Sequence, residues 1–228
     1  MSIPEIETIF VDWSRTLSVS QFWGHWKHPE DPQCEEHRLF ERLQVIWRTE
    51  NDSLLVPWMR GSLDAERVCS LVADDMGSDP GALLEGLIQS SRDMQLISPL
   101  IPDLVRQLRD AGARVVIATD NMDAFTRWTV PALHLDECFD DILNSANLGY
   151  LKNDLGADRK PGFFANYLTD HGLDARKALL IDDSLSTGQL VTELGMRFVP
   201  VTAEAPVVDA LRQVLSAVPT WSRRQAAE

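Results

Sequence analysis

Three short apolar runs, far apart in the chain, each lead directly into acidic or polar residues, and this pattern constrains the fold more than any other feature of the sequence. The run IFV leads to Asp12, the run VVIA leads to Thr119-Asp120-Asn121, and the run ALLI leads to Asp182-Asp183. Short apolar runs bounded by polar residues are typical of buried strands. Because ligands bind beyond the carboxyl ends of the strands in an open parallel sheet, we expect these polar groups to converge on one crevice.

The segments between the apolar runs have helical patterns. Residues from about 20 to 97 contain helical stretches and no convincing strand, and Ser62 and Pro80 are the predicted starts of two of these helices. After residue 98, strands alternate with helices, which indicates βαβ units and a parallel sheet. The predicted fold class is α/β. A doubly wound, Rossmann-like core is formed by residues 1–18 and 98–228, and an α-helical cap of residues 19–97 is inserted after the first strand.

The charge of the chain excludes some classes of partner. Its net charge is -14 and its pI is about 4.7, whereas nucleic-acid backbones and anionic membranes attract clustered Lys and Arg. A small anionic substrate is compatible with this charge if a metal or a few local cations offset the field. No apolar run approaches the ~18 residues of a membrane span, so we expect a cytoplasmic location. Nothing in the sequence indicates an oligomeric state.

The cysteine pattern argues against a disulfide framework and against a zinc site. Cys34, Cys69 and Cys138 are odd in number, widely separated and not in a CxxC spacing. We expect free thiols.

Carboxylates from different strands that face one another repel unless a cation lies between them. A hard divalent cation such as Mg²⁺, held by one or two carboxylates, a carbonyl oxygen and water, would offset this repulsion. The sequence therefore predicts a metal site at the carboxyl edge of the sheet.

With these features in place, the sequence resembles the haloacid dehalogenase superfamily, whose members are mostly Mg²⁺-dependent phosphohydrolases. The segment FVDWSRTLS resembles the first motif of that family, with Asp12 at the nucleophile position and Thr16-Leu17 at the Thr-Leu that follows. VVIATDN resembles the second motif, and LLIDDS the fourth. The helical stretch from 19 to 97 lies where these enzymes carry a mobile cap.

The third motif of the family is a lysine that neutralises the nucleophile and the transferred group, and two residues are candidates for it. Lys152 has the usual separation from Gly149, whereas Lys160 is followed by the usual proline and an aromatic helix start. The spacing from Gly149 favours Lys152, and both lysines remain candidates.

The resemblance implies a role for each remaining motif residue. Asp12 would attack phosphorus and form an aspartyl phosphate, which water then hydrolyses. Metal would be held by Asp12, the backbone carbonyl of Ser14, Asp182 and Asp183. Five residues are expected to bind substrate, and Thr119 would do so through its hydroxyl: Trp13, His25, Thr119, Asp120 and Asn121.

Ser14 is the main departure from the family pattern. Most of these phosphatases have an aspartate at this position, two residues after the nucleophile, and it protonates the leaving group. A serine hydroxyl is far too weak an acid to replace it. Such assistance is typically worth ~10²–10⁴-fold in rate. A second departure is Arg15, where glycine is usual.

Three interpretations of Ser14 remain open. In the first, the leaving group needs no proton, as in dehalogenation, P–C cleavage or acyl phosphate hydrolysis. In the second, the cap supplies the acid, and His25 is the nearest candidate in sequence. In the third, the protein binds its ligand without efficient turnover. The phosphonoacetaldehyde hydrolase branch also lacks this acid, but it requires a cap lysine for a Schiff base, and Lys27 is the only lysine in the insert.

The sequence as a whole predicts a Mg²⁺-dependent hydrolase with a helical cap. Its substrate would be a small phosphorylated or otherwise activated metabolite. The alternative from another class is a catalytically impaired relative that binds a ligand in the same cleft.

Overall fold

The computed structural model describes residues 6–49, 54–156 and 159–217. Five parallel strands form one sheet in the order β3-β2-β1-β4-β5. The strands are β1 (Thr8–Val11), β2 (Arg114–Thr119), β3 (Asp141–Asn144), β4 (Ala178–Asp182) and β5 (Arg197–Pro200). All three apolar runs are therefore strands of one parallel sheet, and the predicted α/β class is confirmed.

The helices fall into two groups. Four of them lie between β1 and β2: α1 (Glu35–Thr49), α2 (Leu55–Met59), α3 (Ala65–Met76) and α4 (Pro80–Arg92). The others follow: α5 (Ile101–Asp110), α6 (Val130–Ala132), α7 (Leu135–Cys138), α8 (Ser145–Leu148), α9 (Gly162–Asp170), α10 (Leu185–Glu193) and α11 (Val207–Ala217). Short 3-10 helices cover Gly24–Trp26 and Ala175–Lys177, and Phe125–Thr129 form a short π-helix.

The sheet is covered on both faces, as a doubly wound fold requires. Ile9 and Val11 of β1 pack in one apolar cluster, with residues of α5 and α11, whereas Phe10 packs in a second cluster with α9. Successive side chains of a strand point to opposite faces, so a fully apolar strand indicates that both faces are buried. All four residues of β1 are buried.

The register of the sheet determines which residues meet at its carboxyl edge. Val11 is level with Ile117 of β2 and with Ile181 of β4. The backbone N–H of Asp12 donates to the carbonyl of Ile181 at 2.9 Å, which holds Asp12 beside the end of β4. The acids that follow the first and fourth strands are thus brought together by strand pairing alone.

We use "insert" for residues 19–97, the predicted cap. Its described helices share an apolar cluster that includes Trp23, Trp58 and Leu43, and Met122 and Ala124, which follow β2, pack in the same cluster. The boundaries of the cap stay a prediction, and the side chains of 46–53 lie outside the described residues.

The starts of two insert helices agree only in part with the prediction. Helix α4 begins at Pro80, as expected, and the Asp79 side chain caps it by accepting from Ala82 N–H. The cap of α3 is Asp64 and not Ser62, because the Asp64 carboxylate accepts a hydrogen bond from Arg67 N–H at 2.8 Å.

Two further expectations concern thiols and membranes. Cys34, Cys69 and Cys138 are free cysteines, as predicted, and Cys69 is buried in the insert. Among the described helices, none combines the length and apolar character that crossing a membrane requires.

Candidate active site

Three carboxylates meet at the carboxyl edge of the sheet. One oxygen each from Asp12, Asp182 and Asp183 lie within 4.8 Å of one another, and this is the only such group of potential metal ligands among the described residues. Asp12 and Asp182 are buried, whereas 29% of the Asp183 side chain is exposed. Oxygen ligands in this arrangement suit a hard cation such as Mg²⁺, so the residues present fit the predicted metal.

The Lys152 ammonium group lies between two of these carboxylates. Its Nζ donates to Asp12 Oδ1 at 2.8 Å and to Asp182 Oδ2 at 2.7 Å. The lysine is buried, and its backbone N–H donates to Asp120 Oδ1 at 2.8 Å. Lys160 is exposed, and the structure brings Lys152, not Lys160, to the acidic cluster.

Burial and charge shift the pKa values of this cluster. Burial raises the pKa of Asp12 from 3.8 to about 7; Lys152 opposes this shift, and the nearby Asp182 adds to it. Burial alone would lower the pKa of Lys152, but Asp12, Asp182 and Asp120 outweigh it and raise that pKa. The neighbouring acids therefore favour the ammonium form of Lys152, whose charge compensates theirs.

Thr119, the last residue of β2, has an unusual environment for a hydroxyl group. Its Oγ1 is buried and has no hydrogen-bond partner among the described residues, as is also true of Thr16 Oγ1. An unsatisfied buried polar group costs about 1–3 kcal/mol. An oxygen of a bound ligand would satisfy the Thr119 hydroxyl, which is consistent with its predicted role.

A cleft of about 470 Å³ is lined by residues that follow β1 and β2, among them four of the predicted site residues: Trp13, Ser14, Asp120 and Asn121. Asp12 itself is buried and does not line the cleft. The Trp13 ring packs on Phe125 at 5.0 Å between ring centroids and is buried, so it forms a fixed wall. The insert contributes Gln44, Leu55 and Met59, among others, to the lining. The volume is that of a small-molecule site.

The two departures from the family pattern lie at the mouth of this cleft. Ser14 and Arg15 are exposed, and Arg15 has a left-handed φ of 59°, which explains why glycine is the usual residue there. The Arg15 guanidinium lies 3.6 Å from Asp183 Oδ2. No pattern in the sequence indicates this contact with Asp183.

His25 does not line the cleft. Its ring is exposed, and it lines a shallower neighbouring depression together with Lys27, Ser90 and Asp93. The structure therefore places neither His25 nor Lys27 in the lining of the cleft, which leaves the predicted cap acid and the Schiff-base lysine without geometric support.

Sequence reasoning also missed Arg60 and Asp154. These residues form a two-armed ion pair between the insert and the loop that carries Lys152. Neither residue belongs to one of the four motifs, so only the structure shows the pair.

No protein-family model matches the sequence, and a search of curated proteins gives no match. Similar solved structures, in contrast, are available for comparison.

One is a HAD family enzyme from Bacteroides thetaiotaomicron, with 15% identity and a TM-score of 0.67 over 87% of this chain and 95% of that chain. The same enzyme has been solved in complex with magnesium and inorganic phosphate. A predicted HAD-like hydrolase from Porphyromonas gingivalis has 17% identity and a TM-score of 0.68 over 92% of this chain and 98% of that chain.

An L-2-haloacid dehalogenase from Xanthobacter autotrophicus, with chloropropionic acid covalently bound, has 15% identity and a TM-score of 0.60 over 88% of this chain and 80% of that chain. At these identities the comparisons carry the fold and not the activity. The chain has the fold of the haloacid dehalogenase (HAD) enzymes, with its acidic cluster at the carboxyl edge of the sheet.

Proposed function

We propose that the protein is a Mg²⁺-dependent hydrolase of the HAD superfamily that acts on a small phosphorylated or otherwise activated metabolite through Asp12. The observation that carries this proposal is the buried lysine between Asp12 and Asp182, with Asp183 completing the acidic cluster. Trp13 and Ser14, which directly follow Asp12, line a cleft of suitable size. The magnesium and phosphate complex of a neighbour with the same fold supports the proposed chemistry.

In the proposed mechanism, Asp12 is the nucleophile and Lys152 offsets charge on the transferred group. An Asp12 oxygen attacks phosphorus in line, the bond to the leaving group breaks, and water later hydrolyses the aspartyl phosphate. The Thr119 hydroxyl donates to an oxygen of the group being transferred. Positioning and electrostatic stabilisation account for most of the rate in phosphoryl transfer.

Asp12, the carbonyl of Ser14, Asp182 and Asp183 would hold the metal. When bound, Mg²⁺ would supply positive charge that stabilises the transferred phosphoryl group.

Ser14 limits which leaving groups the site can expel. Its side chain forms no hydrogen bond in the part of the chain that the structure describes, and His25 is not at the cleft. Position 14, which is an aspartate in most of these phosphatases, therefore has no carboxyl group that could protonate the leaving group. We propose that the preferred substrates have leaving groups that need no proton, such as acyl phosphates. The dehalogenase neighbour makes halide a second candidate.

A hydrolysis screen tests the function. Phosphate monoesters, acyl phosphates, phosphonates and haloacids would be assayed with and without Mg²⁺ and after treatment with a chelator. We expect turnover of acyl phosphates that requires the metal. Tight Mg²⁺ binding with no turnover of any substrate class would support the binding-protein alternative. Turnover of haloacids without metal would support a dehalogenase function.

Mg²⁺ affinity is expected to fall by about 10-fold or more in Asp183→Asn, because the variant loses one anionic ligand. Asp183 is partly exposed, so this change leaves the buried Asp12–Lys152–Asp182 contacts in place. Calorimetric titration with Mg²⁺ alone measures the effect. Asp74→Asn is the matched control, since Asp74 belongs to an exposed acidic pair on α3; equal affinities in the two variants would refute the assigned metal site.

Ser14→Asp is expected to increase kcat on alkyl phosphate esters by about 10²-fold or more, because the new carboxyl group can protonate an alkoxide. The gain should be much smaller for acyl phosphates, whose leaving group needs no proton. Steady-state kinetics on the two substrate classes measure the difference, with Ser20→Asp, at an exposed serine of the same cleft, as a control. An equal change for both classes would exclude the missing acid as the cause.

A further inference from the structure

The loop that carries Lys152 is a tight turn anchored by side chains. Within it, the Asp154 carboxylate accepts from Leu151 N–H at 2.8 Å, and Asp154 N–H donates to the Leu151 carbonyl at 3.1 Å. Outside it, Asp120 accepts from the Lys152 backbone at 2.8 Å, and Asn153 Oδ1 accepts from the Thr187 hydroxyl at 3.0 Å. The position of the Lys152 backbone, and with it the reach of its ammonium group, depends on these anchors.

The insert contributes one further anchor. Arg60 follows α2, and its guanidinium donates to both carboxylate oxygens of Asp154, at 3.0 Å from Nε and 2.6 Å from Nη2. This two-armed geometry defines the orientation of both partners. The two side chains are 40% and 32% exposed, and their two hydrogen bonds tie the Lys152 loop to the end of α2.

A second contact places the end of α2 against the same region. Gly61 has a φ of 68°, and a Cβ atom there would lie 2.2 Å from the backbone oxygen of Ala146 in α8. Helix α8 precedes the Lys152 loop, with a left-handed turn at Gly149 between them. The chain at Arg60 and Gly61 is thus closely packed on the segment that leads to the lysine.

We infer that Arg60 is a positioning residue for Lys152, which makes the placement of the active-site lysine depend on the docking of the insert against the sheet. This inference rests on the role of Lys152 in the proposed function. Arg60 does not touch the reacting atoms; it acts through Asp154 and the turn that begins at Leu151. When the insert moves away from the sheet, the pair breaks, the turn loses an anchor, and the ammonium group is less well placed between Asp12 and Asp182.

The experiment compares Arg60→Gln with Arg127→Gln in the full chain. Arg127 also links the core to the insert, through a two-armed pair with Glu66, but it has no contact with the Lys152 loop among the described residues. Both variants would be measured for kcat and KM on the best substrate. Backbone hydrogen exchange over 151–154 would be followed by mass spectrometry, and thermal unfolding would report on global stability.

We expect Arg60→Gln to lower kcat by about 10- to 100-fold, because small misplacements of a catalytic group are costly, with little change in KM. The amides of 151–154 should lose protection from exchange in this variant. Arg127→Gln should keep both the kcat and the protection of wild type.

Three results would overturn the inference: retained protection of 151–154 in Arg60→Gln, a raised KM with unchanged kcat, or equal effects in both variants. The exchange measurement does not require activity. If the wild-type protein turns over no substrate, the proposed function fails, but lost protection confined to Arg60→Gln still supports the link, and retained protection rejects it.

Discussion

Asp12→Asn is expected to lower kcat by about 10⁴-fold or more, since the amide that replaces the carboxylate is not a nucleophile. The substitution keeps the size of the side chain, and its amide oxygen can still accept from Lys152, so the fold should survive. Steady-state kinetics on the best substrate measure the loss. Mass spectrometry of the wild-type protein, quenched during turnover, should detect a phosphorylated Asp12.

Asp110→Asn is the matched control, because Asp110 is an exposed aspartate at the end of α5. It should have wild-type kinetics. A kcat for Asp12→Asn within about 10-fold of wild type, which is a change of only about 1.4 kcal/mol in the barrier, would show that Asp12 does not form the intermediate.

Lys152→Met is expected to reduce both activity and stability. The methionine fills a similar volume, but it leaves Asp12 and Asp182 as buried carboxylates without their cation. Breaking a buried ion pair in this way typically costs about 3–5 kcal/mol in the free energy of unfolding. Urea denaturation at neutral pH and kcat on the best substrate measure the two effects.

Lys160→Met is the control for this prediction. Lys160 is exposed, so its replacement should change the unfolding free energy by no more than about 0.5 kcal/mol. The opposite ranking of the two variants would assign the family's third motif to Lys160.

The pH dependence of Lys152→Met follows from the raised pKa of Asp12. Burial already raises that pKa from 3.8 to about 7, and Lys152 limits the rise. With this raised pKa, the folded state binds the Asp12 proton more tightly than the unfolded state does. The free energy of unfolding therefore falls as pH rises from 3.8 to about 7. Without Lys152 the pKa of Asp12 rises further, so the metal-free variant should lose more stability relative to wild type at pH 8 than at pH 6. An equal difference at both values would contradict this account of the charge balance.

Much of the fold could be predicted because it depends on local patterns. Runs such as VVIA are strands since they are short, apolar and bounded by polar residues, and their alternation with helices indicates a parallel sheet. Asp12 and Asp182 could be placed together for the same reason, because parallel strands end at one edge of the sheet. The starts of helices were less predictable: Ser62 and Asp64 are both good caps, and only the backbone geometry selects Asp64.

Some residues of the candidate site could likewise be predicted from the sequence, and others could not. The acidic residues and Thr119 are at strand ends, so their approximate positions follow from the order of motifs in the chain. Lys152 and Lys160 lie in a loop, where sequence spacing does not determine direction, and only the turn after Gly149 carries one of them to Asp12. His25 is near Asp12 in sequence, but the fold of the insert places it outside the cleft.

The sequence by itself determined the class of fold, the edge of the sheet where the acids meet, and the absence of an acid at Ser14, because each of these depends on residue types and local order. The tertiary structure decided which lysine reaches the acids, and it paired Arg60 with Asp154. Such contacts form between segments that are distant in the chain, and they depend on how the insert packs against the sheet, which no local pattern encodes.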